Sequence, residues 1–143
     1  MKRIVVCLAI GGLLLACERV VHAPWAEPYE TLAVIEGRDA EEYPVVVTVP
    51  DSVETGEWFI VSVRTYVDSP CDSKGRTQVE NREARARVVV YSLIGVAGNC
   101  VRTRIREHTA ELKLTESGIG RVVVVGFSQI RGVVQDEYTI LVR

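Results

Sequence analysis

The sequence is poor in the side chains that most often carry chemistry, with only two histidines, one methionine, two phenylalanines and two tryptophans in 143 residues. Its four cysteines form no C-x-x-C pair and its histidines no H-x-x-x-H, so no metal site and no cofactor is expected. There is no G-x-S-x-G, and Gly118-Ile119-Gly120 is not followed by a helical pattern, which excludes a nucleophile elbow and a phosphate-cradling loop. Positive charge is not in excess: 17 Lys and Arg stand against 19 Asp and Glu, a net charge of −2 that argues against nucleic acid as the main partner. Long apolar runs are missing too, since the longest, Ile4 to Leu15, is about a dozen residues where a spanning helix needs roughly 20.

What remains is the composition of a folded protein, 48% hydrophobic and 25% charged, in a length that suits one domain with short extensions. The N-terminus has three parts: Lys2 and Arg3, then the apolar run interrupted by Gly11 and Gly12, then Leu14-Leu15-Ala16-Cys17. A basic start, a short apolar stretch and a small residue before the cut are the layout of a secretory signal. The tetrapeptide resembles the lipobox of bacterial lipoproteins. That resemblance implies cleavage after Ala16, a diacylglyceryl group on Cys17 and acylation of the new terminus, and several acyl chains together make attachment to a membrane nearly permanent. Glu18 in place of Asp after the cysteine implies the outer membrane by the sorting rule of that family. The chain therefore divides into a signal peptide over residues 1–16, a lipidated terminus and tether over 17–43, and a β-domain over 44–143. Export also sets the redox compartment. Cys7 leaves with the signal, Cys17 takes the lipid, and Cys71 and Cys100 are expected to form a disulfide.

Helical periodicity is absent after the signal, and β patterns take its place. Within the tether, Thr31 to Ile35 reads as a short strand between Pro28 and Gly37. Val45 to Val49 is β-branched and ends at Pro50-Asp51, a turn signal. From Glu57 to Val67, Phe59, Val61, Val63, Thr65 and Val67 share one face, while Trp58, Ile60 and Tyr66 place an apolar patch on the other. The loop Asp68 to Gly75 carries Cys71; Thr77 to Asn81 is a modest strand, and Ala84 to Tyr91 a strong one. After Cys100 the apolar set falls at odd positions up to Ile105 and at even positions from His108, which predicts a β-bulge or break near Glu107. Arg121 to Phe127 and Tyr138 to Val142 complete about seven strands from Val45 onward.

Strand number and turn spacing predict an antiparallel β-sandwich, with a small barrel as the alternative. The segment Pro50 to Gly56 before a long strand is similar to the A-to-B turn of immunoglobulin-like domains, and Leu112-x-Leu114-x-x-x-Gly118 before a valine strand is similar to their E-to-F connection. The resemblance covers residues 43–143. It departs from antibody domains in its cysteines, which lie at strand ends, so the bridge is expected to pin two loops at one end of the sandwich.

Catalytic groups do not converge in this pattern. His108 stands beside Glu107, but adjacent strand residues point to opposite faces, so a structural histidine is the expectation and Ser92 and Ser128 are left without a base. The carboxylate pairs Glu41-Glu42 and Asp136-Glu137 read as solvated loop sites. The candidate interaction surface is basic: Arg82, Arg85 and Arg87 on one run and Arg102, Arg104 and Arg106 on the next, which would share a face if the two runs formed a hairpin. Such a stripe suits anionic headgroups, glycans or a partner's carboxylates, and Glu80, Glu83 and Glu107 are placed to neutralise it. The expectation is a non-enzymatic, membrane-anchored envelope module that binds a protein or envelope component, the alternative being a structural envelope protein resting its basic face on an anionic surface.

Overall fold

Runs of valine, isoleucine and threonine resist helix because their branched Cβ crowds the preceding turn, and they suit a pleated, half-buried surface. The computed structural model describes residues 27–95, 100 and 103–143, and these are all-β. In chain order the strands are β1 (Tyr29–Leu32), β2 (Val34–Glu36), β3 (Val47–Thr48), β4 (Ser52–Val53), β5 (Trp58–Tyr66), β6 (Ser73–Arg82), β7 (Arg85–Ile94), β8 (Ile105–Lys113), β9 (Gly118–Ser128) and β10 (Gly132–Val142).

The strands form two layers. One runs β4-β10-β9-β7-β6 and the other β3-β5-β8, and β2, paired with both β9 and β5, joins them into one mixed sheet. Their inner faces supply one core: Phe59, Val61 and Val63 from β5, Ala110 and Leu112 from β8, Ala86, Val88 and Val90 from β7, and Val122 and Val124 from β9. On the outer face Val89, Val123 and Val125 make a second, smaller cluster with Leu32 and Tyr91 packed on it. This is why β7 and β9 read as continuous valine runs rather than as alternation. The sheet does not close into a barrel, for among the described residues no backbone ladder joins β6 to β8.

Three pairings correct the expectation of a wholly antiparallel sandwich. β7 runs parallel to β9 from Arg85↔Arg121 to Val89↔Val125, β2 runs parallel to β9, and β4 runs parallel to β10. Parallel neighbours need a crossover, and β8, lying in the opposite layer between β7 and β9 in sequence, provides it. The segment Pro50 to Gly56, read as a turn, contains β4, which pairs with β10, and the chain between β8 and β9 turns over residues 114–117.

The segment read as a tether enters the sheet. β1 pairs with the end of β7, and the chain then wedges between β7 and β9: Ala33 N–H donates to the Val90 carbonyl at 2.9 Å and Phe127 N–H to the Ala33 carbonyl at 2.9 Å. Ala33 and Ile35 are fully buried. Gly126 makes room, since a Cβ there would lie 2.6 Å from Ile35 Cγ2 and 3.1 Å from the Ala33 carbonyl oxygen. The lipobox and Cys17 lie outside the described residues.

The bulge expected near Glu107 is not present. β8 pairs with β5 without a slip from Tyr66↔Ile105 to Trp58↔Lys113, and Ile105 is exposed because the strand only begins there. The irregularity lies in β6, between Lys74 and Thr77, around Gly75, whose position a side chain would fill to within 2.7 Å of the Tyr91 carbonyl oxygen. The expected loop site at Asp136-Glu137 is also corrected, for both residues lie within β10.

Candidate functional site

The two arginine runs do not form a hairpin. β7 sits between β6 and β9 in one layer, while β8 pairs with β5 in the other. Arg85 and Arg121 stand opposite each other and share Glu137, at 3.9 and 3.2 Å, and Arg87 pairs with Glu80 at 3.5 Å. These are exposed pairs of small energetic weight. Arg106 is half-buried and donates to the carbonyls of Thr103, Ile105 and Asp72. Arg104 lines a cleft described below, and Arg102 lies outside the described residues. Arg82, opposite Arg85 on β6, stays with Arg85 and Arg87 beside Glu80, but Arg104 and Arg106 lie elsewhere, so the stripe is split.

The groups weighed for catalysis are likewise apart. His108, the one histidine among the described residues, is fully buried; its Nδ1 bonds the Thr77 hydroxyl at 2.9 Å and its Nε2 has no partner. Burial, followed by the charge of Lys74, pushes its pKa down to about 4. Glu107 points the other way, into solvent. Ser128, also buried, donates to Glu36, and its Oγ accepts from the N–H groups of Ile130 and Arg131 in the β9–β10 turn. That hydroxyl and then the Arg131 guanidinium hold the Glu36 carboxyl below its usual range. Both assemblies tie strands together.

A cleft opens instead at the loop end of the sandwich, built from segments far apart in sequence. Residues 37–43 make a closed loop in which Gly37 N–H donates to the Tyr43 carbonyl at 2.9 Å and Tyr43 N–H to that of Asp39 at 2.8 Å. Asp39 Oδ1 accepts from the N–H groups of Glu41 and Glu42 at 3.1 and 3.3 Å, an Asx turn. Gly37 is required by proximity, because a Cβ there would come 2.5 Å from Tyr43 Cβ. The Tyr43 ring meets Tyr66 edge to face with centroids 5.1 Å apart, and the Tyr66 hydroxyl donates to the Pro44 carbonyl at 2.7 Å. Of the outer-face apolar patch read from the sequence, Tyr66 is thereby buried against the segment read as a tether, while Trp58 and Ile60 remain exposed. Gln129 joins the pieces: its Oε1 accepts from Arg38 N–H and its Nε2 donates to Asp68 Oδ1, each at 2.8 Å.

The cleft has two lobes that share Tyr66, Val67 and Asp68. The larger, about 380 Å³, carries Arg38 and Arg104 on its walls. Neither guanidinium forms an ion pair among the described residues. Glu42, accepting a hydrogen bond from the Tyr43 phenol, pushes that group's pKa up, and Arg104 on the same phenol opposes the shift. The smaller lobe, about 210 Å³, has walls of Leu32, Val34, Ile94 and Phe127 with Asp68 and Asp72 among them. The disulfide Cys71–Cys100, spanning 29 residues, joins the loop that carries Asp72 to the approach to β8. It pins two loops at one end of the sandwich, as the cysteine positions predicted.

Of the residues singled out in the sequence, Arg104, Tyr66 and Ser92 line this cleft. Asp68 and Asp72 fall in the loop Asp68 to Gly75, and no local pattern links them to Gln129 or to residues 37–43, at positions so widely separated. No group of His, Cys, Asp and Glu among the described residues is arranged to hold a metal ion. Comparison of the chain with protein-family models, with characterised proteins and with solved structures finds no match.

Proposed function

We propose that this chain is a lipid-anchored protein of the bacterial cell envelope whose β-sandwich binds a protein or another envelope component through the two-lobed cleft, without catalysing a reaction. The observation that carries the reading is the cleft itself. Four separate segments are tied together by Gln129, the Tyr43–Tyr66 pair and the disulfide to make one concave surface with unpaired charge on its walls. Loops held by a rigid strand scaffold are where recognition concentrates. The sealed position of His108 and the structural engagement of Ser128 support a role in binding rather than hydrolysis. Anchoring rests on the lipobox resemblance and Cys17. The alternative of a basic face resting on an anionic surface draws on Arg82, Arg85 and Arg87, which stay together, but Arg85 and Arg87 pair with Glu137 and Glu80 and Arg106 lies in the other layer, which favours the cleft.

Two measurements test the two halves of the proposal. With Cys17→Ser, the protein is expected to keep its signal uncut by the lipoprotein peptidase and to leave the membrane fraction; normal processing and retention would refute the anchor. A photo-crosslinking residue at Arg38 is expected to trap a defined envelope partner that the same residue at the remote Ile119 does not. Equal adducts from both positions, or none from either, would refute the cleft as the binding surface.

A further inference from the structure

We infer that the smaller lobe of the cleft is a socket for a basic side chain, lysine or arginine, presented by a partner protein; the inference rests on reading the cleft as a binding surface and names the chemistry it recognises. At about 210 Å³ the lobe is smaller than the usual pocket for a drug-sized molecule and suits one long side chain. Its walls are apolar: Leu32 and Val34 come from the wedge, Val67 from the end of β5, Ile94 from β7 and Phe127 from β9. Phe127 keeps 37% of its surface exposed, so the wall is open on one side. A methylene stem lies well against such a surface while its charged head seeks a polar end.

The polar end is acidic. Asp68 and Asp72 both line the lobe, and no cationic side chain among the described residues does. Asp72 is only 8% exposed, and among the described residues the donor to its carboxylate is the Ser69 N–H, at 3.3 Å to Oδ2. Asp68 receives one bond, from Gln129. Neither aspartate forms an ion pair within 4.0 Å among the described residues. The nearby Arg106 guanidinium is occupied by backbone carbonyls, including that of Asp72, rather than by a carboxylate. Neither oxygen of Asp72 is sealed away unsatisfied among the described residues, so the carboxylate is reachable where it lines the open apolar lobe. A cation entering the lobe meets it there. Arg38 and Arg104 in the larger lobe repel a cation there, which confines the basic group to the aspartate end.

The test is a methyl-NMR titration of the full-length lipidated protein in detergent micelles. The probes are n-butylguanidinium and n-butylammonium as side-chain mimics, with n-butanol and butyrate as neutral and anionic controls. Saturable shifts of the Leu32, Val34, Val67 and Ile94 methyls are expected with the two cations and not with the controls. Asp68→Asn and Asp72→Asn are each expected to weaken the cation by about tenfold, as loss of one charge-assisted contact does. Asparagine can still accept from Ser69 N–H, and the unchanged core-methyl spectrum of each variant shows that it folds; the exposed Asp68 serves where Asp72 does not. Equal shifts with n-butanol, or cation binding indifferent to both substitutions, would overturn the socket and leave the cleft as a binding surface of other chemistry. Silence of the lobe toward both cations also overturns the socket, and only failure of the Arg38 crosslink as well overturns the cleft.

Discussion

Acid should loosen this fold through one residue, His108. Its ring is fully buried between the layers, with Nδ1 on Thr77 and Nε2 facing no partner, so a second proton would place an uncompensated charge in the core. The folded-state pKa is about 4 against 6.5 for an unhindered histidine. Above pH 6.5 the ring is neutral in both folded and unfolded chains and contributes no pH dependence. As pH falls from 6.5 toward 4 the unfolded chain takes up a proton that the folded chain refuses, so stability drops through that window; below about 4 both states bind it and the loss stops growing. At 1.36 kcal/mol per unit, the gap between 6.5 and about 4 corresponds to a loss of about 3 kcal/mol, a large share of the roughly 5 to 15 kcal/mol that holds a domain folded. The assay is urea unfolding at closely spaced pH values for the wild type and for His108→Leu, which keeps an apolar side chain of similar size in the cavity. Glu36, whose lowered pKa gives stability that is lost as pH falls below 4.5 and through its folded value, contributes to both curves and cancels in their difference. The difference curve should be flat above pH 7 and below about 3.5 and should change by about 3 kcal/mol between them. A difference that stays constant from pH 7 to pH 4 would refute the reasoning.

Two further perturbations test how the layers are held. Replacing both Cys71 and Cys100 by Ser removes a cross-link spanning 29 residues and should cost about 3 to 4 kcal/mol in urea unfolding, with the loss of under 1 kcal/mol counting against a constraint on the unfolded chain. Gly126→Ala forces a methyl to within 2.6 Å of Ile35 Cγ2 and should cost about 1 to 3 kcal/mol; a neutral result would mean that the wedge between β7 and β9 yields without penalty.

Much of the fold was legible because burial in a strand follows a period of two. Phe59, Val61, Val63 and Thr65 fall on one face of β5 in the sequence and all are buried. Direction of pairing leaves no such trace, since a strand's alternation is the same beside a parallel or an antiparallel neighbour; the β7–β9 pairing therefore came only from the structure. The regular Val101-to-Ile105 pattern misled for a different reason. A short apolar-basic alternation arises easily by composition, and here the strand starts only at Ile105, with the inward set at His108, Ala110 and Leu112. Thr31 to Ile35 was recognisable as a strand, and Ala33 and Ile35 carry the inward spacing, but their insertion between two other strands depends on Gly126, more than ninety positions away. The cleft was least legible. Arg38, Asp68, Asp72 and Gln129 are polar residues in turns, and only their joint placement gives them meaning.

The β6–β8 boundary carries no backbone ladder among the described residues. Without a ladder, these strands are held across the seam by side chains and by their ends: Thr77 to His108 in the middle, Glu83 carbonyl to the N–H groups of Thr115 and Glu116 at one end, the disulfide and the Arg106–Asp72 contact at the other. The cleft lies instead where β2 joins the two layers, pairing Val34 with Tyr66 of β5 and with Phe127 of β9. Its small lobe is walled by Leu32 and Val34, residues of the first two strands, which follow directly on the segment running from Cys17. That segment covers twelve residues up to Tyr29 and cannot reach further than about 40 Å when fully extended. On the proposed anchoring, the socket is therefore formed partly by the strand through which the protein hangs on its membrane, and a partner must reach it within that distance of the lipid surface. Lengthening the segment should leave binding of the butylguanidinium probe unchanged while altering which envelope partner the Arg38 crosslink captures, and it is this separation of intrinsic affinity from reach that gives the anchor a role in selecting the partner.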